Sequence, residues 1–364
     1  MDSPILPTTM VGSYPRPAWF TMQLDGRDVL EAFKNIHHAE AFEDAVRVVL
    51  ADQEQAGLDI LTDGQMNFDD YGMGIGSFLW YWFERIEGFG KEKLPHPARG
   101  RAKGRDVWAL DEAGGVALRG PLARGPIRLA LLYRLAQKHT ARPIKACVGA
   151  GPVQLSTLVH FESGPVGNRY DLALALADIF REEIRDLVES GCQHIQLEDL
   201  GAWIPTLTGD KDFAWVRDVV NRTLRDCPVA TSWHFCMGNA WGNKMQGMTA
   251  GGYREILPRY YDANVQQYVL DFACREMEDA ALLSDLPKDK SVAAGVIDVR
   301  TLEIEAPEQV AERIRKVLQY VPPDRVTLTT DCGMKQLPRT CAVGKLRALV
   351  AGAEIVRSEV LGTR

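Results

Sequence analysis

Apolar residues along this chain fall into two alternating patterns. Short runs rich in β-branched residues are followed by longer segments in which apolar residues recur at the spacing of a helix. This alternation predicts βα units and a parallel sheet. The eight predicted strands cover residues 8–13, 59–65, 143–149, 194–199, 229–236, 267–273, 292–298 and 326–333. Eight strands separated by helices predict an α/β fold, a (β/α)₈ TIM barrel that forms a single domain over residues 1–364; a doubly wound open sheet is the alternative.

Three helices have clear signals at their ends. Residues 170–190 are rich in Leu, Ala, Ile and Glu and stop at Gly191, which suits the position after a helix C-terminus. Residues 307–320 open with Pro and Glu and place their apolar residues on one stripe. For the last helix, Thr340 is predicted to be the N-terminal cap.

One long segment interrupts the alternation of strands and helices. Residues 66–124 separate the second and third predicted strands and contain the dense aromatic run 78–83. An insertion of this length above a barrel predicts a lid or an interface element. The alternative is that its aromatic residues only pack the insertion onto the barrel. A homo-oligomer formed through this apolar segment is a further possibility.

Polar residues stand at the ends of seven of the eight predicted strands, although strands of an α/β fold should be nearly continuous apolar runs. In a barrel these ends meet at the C-terminal rim, where active sites lie. The pattern therefore predicts a functional site but does not name a reaction. The residues are Ser13, Asp63, Gln65, Glu198, Asp199, His234, Cys236, Asp271, Asp298, Asp331 and Cys332.

The sharpest local signal is a His-x-Cys pair in the fifth predicted strand. His234 and Cys236 are two residues apart, so both side chains can point to the barrel axis. Imidazole nitrogen and thiolate sulfur are preferred zinc ligands. Cys332 follows the eighth predicted strand, and Asp271 could complete a tetrahedron. Alternatively, Asp271 is a rim carboxylate that is hydrogen-bonded to a neighbouring loop. In that case Cys274 or water could be the fourth zinc ligand.

The other cysteines have a different setting. They lie in an apolar strand or beside helix ends, where a buried structural thiol is the better interpretation. These are Cys147, Cys192, Cys227 and Cys341.

The composition limits the classes of function. Hydrophobic residues make up 46% and charged residues 25% of the chain, which is typical of a globular protein. A formal net charge of −7 and the lack of a basic block argue against nucleic-acid binding. No apolar run approaches the roughly 18–20 residues of a membrane span, and no secretory signal is visible. Seven scattered cysteines do not suggest a disulfide framework, so we expect a cytoplasmic protein with reduced thiols.

Four stretches of this sequence together resemble the cobalamin-independent methionine synthase family. They are residues 11–17, residues 59–64, His234-x-Cys236 and residues 331–335. The resemblance is to the catalytic C-terminal barrel, runs from about residue 6 to residue 358, and fits the short, single-barrel members because the N-terminal half of the long synthases has no counterpart. Residues 295–298 and 307–357 are also similar to the epoxyalkane:coenzyme M transferases.

The resemblance implies a Zn²⁺ cofactor and a small thiol as methyl acceptor. His234, Cys236 and Cys332 correspond to zinc ligands, and Asp271 stands where the family has a glutamate ligand. A thiol loses its proton on binding such a metal and can then attack a methyl group or an epoxide. The implied enzyme is a zinc-dependent methyl or alkyl transferase of the 5-methyltetrahydropteroyltriglutamate–homocysteine S-methyltransferase type, which would serve methionine biosynthesis.

Departures from the family pattern concern both substrates. Gln65 replaces the glutamate that holds the homocysteine ammonium, which leaves Glu198 or Asp199 for that charge; Ser13 is a further substrate-binding candidate. Leu158 stands where the family has its tryptophan platform for folate. Arg300 replaces a proton-handling histidine, and arginine cannot shuttle a proton near neutral pH. The methyl donor is therefore expected to differ from polyglutamyl methyl-folate.

Other residues near the rim are candidates for a different donor or acceptor. Trp233 and Trp241, with Trp203, are predicted to line an aromatic pocket, with core packing as the alternative. Arg300 and Lys335 are predicted to bind an anionic acceptor group unless they are simply solvated.

Four functions follow from these features. The first is zinc-dependent methyl or alkyl transfer to a thiol such as homocysteine. The second is addition of a thiol such as coenzyme M to an epoxide. The third is a zinc-binding or ligand-binding barrel without turnover, and the fourth is a metal-free decarboxylase of the uroporphyrinogen type.

Overall fold

The computed structural model describes residues 4–20, 36–68, 76–98, 100, 111, 113–161, 166–239 and 251–362. Within these residues the chain is an α/β fold built on a parallel sheet of six strands in the order β3-β5-β6-β7-β8-β9. The strands, in chain order, are β1 (Ile86–Phe89), β2 (Val116–Arg124), β3 (Ala146–Gly149), β4 (Val159–His160), β5 (His194–Glu198), β6 (Ala230–Phe235), β7 (Gln267–Asp271), β8 (Ser291–Ile297) and β9 (Val326–Thr330).

The register of this sheet brings the carboxyl ends of its strands to one edge. Glu198 pairs with His234 between β5 and β6, and Asp271 pairs with Gly295 between β7 and β8. The last six strands predicted from the sequence are therefore confirmed as β3 and β5 to β9, and their polar ends lie side by side.

The first two predicted strands have a different outcome. Residues 8–13 and 59–65 form isolated parallel bridges rather than extended strands: Thr8 pairs with Leu328 of β9, and Leu61 pairs with Ile144, just before β3. The two segments also meet each other, because the backbone N–H groups of Asp59 and Ile60 donate to the Thr8 carbonyl at 3.1 and 3.0 Å. Both edges of the sheet thus carry a further segment of chain.

Helices connect the strands, as the apolar spacing predicts. They are α1 (Ile36–Ala56), α2 (Gly76–Arg85), α3 (Leu129–Gln137), α4 (Pro152–Ser156), α5 (Arg169–Glu189), α6 (Ile204–Thr208), α7 (Ala214–Thr223), α8 (Pro307–Leu318) and α9 (Arg339–Leu361). Short 3₁₀ helices cover 200–203, 252–255, 257–260, 273–275, 278–285 and 323–325.

The ends of these helices confirm most of the predicted boundaries. Gly191, just beyond α5, has φ of +95°, a conformation that glycine adopts without strain. The predicted cap Thr340 is wrong, because α9 begins at Arg339 and Pro338 occupies the capping position. The fixed backbone angle of proline suits it to a residue that precedes a helix.

The insertion packs against the main sheet through its aromatic run. β2 pairs antiparallel with β1 and parallel with β4, which forms a small second sheet. The ring of Trp82 stacks on Phe180 of α5 at a centroid distance of 3.9 Å, and its indole N–H donates to the Gly149 carbonyl. These contacts favour the packing interpretation over a lid for this part of the insertion.

The helices bury their apolar faces against the sheet, as the sequence pattern of α8 and α9 predicts. Val310 and Ile314 of α8 and Leu346 and Leu349 of α9 are fully buried. In the parts of the chain that the structure describes, none of the helices combines the length and the apolar character that crossing a bilayer requires.

Candidate metal and thiol site

Three predicted metal ligands lie together at the carboxyl edge of the sheet. One ligand atom each of His234, Cys236 and Cys332 falls within 4.8 Å of the other two. Among the described residues, this is the group of His, Cys, Asp or Glu side chains that could hold a metal ion. His234 is in β6, Cys236 follows that strand, and Cys332 lies just after β9. Alternation along β6 brings the first two to one face, as predicted from their spacing.

The two thiols of this group are in direct contact. Their Sγ atoms are 3.3 Å apart, and the backbone N–H of Gly238 donates to Cys236 Sγ at 3.2 Å. The thiol of Cys236 stabilises the Cys332 thiolate by hydrogen bonding, which lowers the pKa of Cys332, whereas the pKa of Cys236 is raised well above its usual value. An imidazole and two sulfurs, one readily ionised, form a donor set that suits zinc.

Asp271 contacts His234 rather than joining the group of three. Its Oδ1 lies 3.1 Å from His234 Nε2, and its Oδ2 accepts the backbone N–H of Met237 at 2.9 Å. Burial alone would lower the pKa of His234, but the hydrogen bond and charge of Asp271 outweigh it and raise that pKa to about 9. Cys274, the other candidate for a fourth ligand, also lies outside the group of three.

Arg300 is buried and paired, contrary to the expectation of an exposed anion-binding cation. Its side chain is only 3% exposed, and a terminal nitrogen lies 2.7 Å from Asp271 Oδ2. A second nitrogen lies 3.5 Å from Asp331 Oδ2, and Nε donates to the Gly238 carbonyl at 2.8 Å. Two buried carboxylates at this edge need a positive partner, and Arg300 provides it.

Glu198 ends β5, pairs in register with His234 of β6, and lines the same cavity as the group of three. It is 4% exposed, its Oε2 accepts the side-chain N–H of Gln65 at 2.9 Å, and its Oε1 accepts that of Gln196 at 3.0 Å. Both contacts are side-chain N–H donors, so each carboxylate oxygen accepts a hydrogen bond. Gln65 is oriented by Asp63, whose Oδ1 accepts the Gln65 backbone N–H at 2.8 Å. Burial raises the pKa of Asp63.

Asp199, the neighbour of Glu198, does not face the cavity. Its carboxylate accepts the backbone N–H groups of Val153, Gln154 and Gly201 at 2.8–2.9 Å. Burial raises the pKa of Asp199 to about 6, against the effect of these bonds. Of the two carboxylates predicted to bind substrate, Glu198 lines the cavity and Asp199 does not. Consecutive residues of a strand point to opposite faces, so Asp199 anchors the start of α4 instead.

The remaining candidates are dispersed. Asp298 Oδ1 accepts the Arg300 backbone N–H at 2.9 Å, which is a local turn. Trp233 is fully buried against Phe235 and Tyr260, so core packing, not a pocket wall, is its role. Trp203 is likewise buried, against Tyr253. Trp241 lies outside the described residues.

The group of three and Glu198 line a single cavity. Seven predicted site residues line it: Ser13, Gln65, Glu198, His234, Cys236, Cys332 and Lys335. Sequence reasoning missed nine others, which are Val11, Phe68, Phe78, Gln154, Leu200, Gly238, Asn239, Gly333 and Gln336. The aromatic run gave a signal for Phe78, whereas the others depend on loop conformations that no local pattern specifies.

Gly333 allows two walls of the cavity to meet. A Cβ added to Gly333 would collide with Ser13 Oγ, so a side chain there would push apart the loops that carry Ser13 and Cys332. The backbone N–H of Met334 donates to the Ser13 carbonyl at 2.7 Å and fixes this contact.

Comparisons with known proteins place the chain among similar sequences of one family. Residues 118–355 match the family described as cobalamin-independent synthase, catalytic domain. The chain is 30% identical over 363 residues to methionine synthase of Saccharolobus solfataricus, covering 98% of this chain and 96% of that protein. It is 31% identical over 368 residues to methionine synthase of Thermococcus kodakarensis, with 99% and 96% covered.

Solved structures give the same result. The fold superposes with a TM-score of 0.81 on a B12-independent methionine synthase from Shewanella sp. W3-18-1 in complex with selenomethionine, at 27% identity, covering 98% of this chain and 99% of that one. A second structure, from Listeria monocytogenes, has a TM-score of 0.63 at 15% identity and supports the fold alone.

Proposed function

Because this chain belongs to the cobalamin-independent methionine synthase family and is a methyltransferase of that family, we propose that it transfers a methyl group to the thiol of homocysteine. The observation that carries this proposal is one cavity lined by two chemically distinct groups. They are the imidazole and two thiols of the group of three, and the carboxylate of Glu198 on the neighbouring strand.

His234, Cys236 and Cys332 fit a zinc ion by the chemistry of their donor set, two sulfurs and an imidazole nitrogen within 4.8 Å. Bound zinc would keep the acceptor thiol ionised near neutral pH and still nucleophilic. Asp271 supports His234 from behind, because its oxygens are used by His234, Met237 and Arg300. A zinc ion held by His234, Cys236 and Cys332 would then have room for the acceptor sulfur.

Glu198 selects an acceptor that carries an ammonium group. Among the residues that the structure describes, no Lys, Arg or His nitrogen forms an ion pair with its carboxylate, so its charge is available to a ligand. Homocysteine has such an ammonium group. A sulfonate thiol of the coenzyme M type has none and would place a second negative charge near Glu198, which disfavours epoxide addition with that thiol.

The transfer itself is a displacement at carbon. The acceptor sulfur forms a bond to the methyl carbon, the bond from that carbon to the donor breaks, and its electron pair leaves with the donor. The thiol proton is released when the acceptor binds. Val11, Phe68, Phe78 and Leu200 give the cavity apolar walls that keep water from the sulfur.

The donor differs from polyglutamyl methyl-folate in this proposal. Leu158, at the position of the family's folate platform, is buried and does not line the cavity. Arg300 is held in an ion pair with Asp271 and has no proton to exchange near neutral pH. Neither group could serve the pterin in the way the family resemblance implies.

The α/β fold closes as an eight-stranded (β/α)₈ barrel in this proposal, and residues 1–364 form one domain. Support comes from the bridges at the two sheet edges, where Thr8 meets Leu328, Leu61 meets Ile144, and Asp59 donates to Thr8. Residues of the insertion, including Trp82, belong to the same apolar core as the sheet.

The free thiols at all seven cysteines support a reducing, cytoplasmic setting, with small molecules as partners.

A panel of thiols tests the function. The purified protein is expected to methylate homocysteine, with 5-methyltetrahydropteroyltriglutamate and a small methylsulfonium salt compared as donors, and to contain about one zinc per chain. Consumption of an epoxide in the presence of 2-mercaptoethanesulfonate, without methylation of homocysteine, would overturn the proposal. Bound zinc without turnover of any donor would indicate a binding protein instead.

The role of Asp271 gives a separate prediction. D271N should still purify with zinc, but its affinity for zinc should fall roughly 10–100-fold, because His234 loses a charged partner. Competition with a chromogenic chelator measures this, and D298N, which changes a carboxylate that does not contact His234, serves as the control. A D271N protein without any zinc would make Asp271 a direct ligand.

A further inference from the structure

A chain of buried polar side chains extends from Glu198 away from the cavity. Lys145 Nζ donates to Gln196 Oε1 at 2.6 Å and to the Met10 carbonyl at 3.0 Å. Gln196 Nε2 donates in turn to Glu198 Oε1 at 3.0 Å. Gln196 and Glu198 are two residues apart in β5 and therefore share a face, which explains their alignment. Each of these side chains is less than a tenth exposed.

The orientation of the Gln196 amide is determined by Lys145. An ammonium group can only donate hydrogen bonds, so it requires the amide oxygen of Gln196 on its side. The amide nitrogen must then face Glu198 and donate to it. With the side-chain N–H of Gln65 on Oε2, both carboxylate oxygens receive a donated bond, which fixes the direction of the carboxylate.

The amide also keeps the two charges apart. A lysine in direct contact with Glu198 would form a buried ion pair and neutralise the carboxylate. The Gln196 amide instead connects Lys145 to Glu198 through hydrogen bonds, and the negative charge of Glu198 stays directed toward the cavity. We infer that Lys145, acting through Gln196, is a positioning residue that makes Glu198 selective for an acceptor with an ammonium group. This inference rests on the proposed function, because it presumes an amino-acid thiol as acceptor.

Binding of two thiols to the zinc-loaded enzyme tests the inference without turnover. Calorimetry compares homocysteine with 4-sulfanylbutanoate, which has the same thiol and carboxylate but no ammonium group. The native enzyme should prefer homocysteine. K145M should reduce the affinity for homocysteine about tenfold and leave that for 4-sulfanylbutanoate within about twofold, since a bond to a charged group is lost only for the first ligand.

The chain offers a matched control in Lys345, a fully buried lysine of α9 that pairs with Glu305 at 2.9 Å. K345M removes a buried lysine outside the cavity and should lower both affinities equally or not at all. If K145M fails to fold, Gln196→Met breaks the same chain of bonds and should give the same change in the affinity ratio.

The outcomes separate the two proposals. An unchanged preference for homocysteine in K145M or Gln196→Met, with a clear preference in the native enzyme, overturns the role of Lys145 and leaves the function standing. Equal binding of both thiols by the native enzyme overturns ammonium recognition itself. An equal loss for both ligands in K145M indicates a structural role for the lysine and also overturns the inference.

Discussion

C332S is expected to reduce bound zinc from about one ion per chain to nearly none and to abolish methyl transfer. The serine hydroxyl is not ionised at neutral pH and is a poor zinc ligand beside Cys236 and His234. In the proposed function zinc would keep the acceptor thiol ionised, so its loss would remove the nucleophile. Metal analysis of the purified variant, together with the homocysteine methylation assay, measures both effects. H234A should behave in the same way.

C274S is the matched control for this experiment. Cys274 is a buried cysteine near the same edge of the sheet but lies outside the group of three. It should keep its zinc and its activity. Full zinc content and turnover in C332S would show that the group of three is not the metal site. Loss of zinc in C274S alone would transfer the ligand role to that residue.

The parts of the site that follow from strand geometry were predictable from the sequence. His234 and Cys236 are two positions apart at the end of a strand. Their side chains are therefore expected on the same face of the sheet and at the same edge. Cys332 belongs to the same rim because parallel strands end together. The polar residues at the strand ends therefore indicate from the sequence alone where a site forms.

The roles of Asp199 and Arg300 were not predictable in this way. Both stand at the rim, as the sequence indicates, but hydrogen bonds between distant segments decide where they point. The Asp199 carboxylate accepts backbone N–H groups of α4, about 46 positions away in the chain. Arg300 forms an ion pair with Asp271 of β7. No periodicity in a single sequence contains such pairings. The first two predicted strands are a similar case, since only single bridges at Thr8 and Leu61 appear.

E198Q should weaken the use of homocysteine strongly while leaving zinc in place. Glutamine has nearly the same shape but no charge, so the acceptor ammonium loses a charge-assisted hydrogen bond of about 1.5–3 kcal/mol. The KM for homocysteine should rise roughly 10–100-fold, with a smaller change in kcat, because the lost contact is present in both the ground state and the transition state. Steady-state kinetics with varied homocysteine measures this split, and metal analysis should still find about one zinc per chain.

The buried carboxylate of Glu183, which pairs with Arg124 outside the cavity, provides the control E183Q. That variant should lose thermal stability without any change in the KM for homocysteine. For 4-sulfanylbutanoate, which has no ammonium group, E198Q should not raise the KM, because removing the negative charge takes away no favourable contact. A fall in kcat with an unchanged KM for homocysteine would instead place Glu198 in the transfer step and would refute its role as the ammonium-binding group.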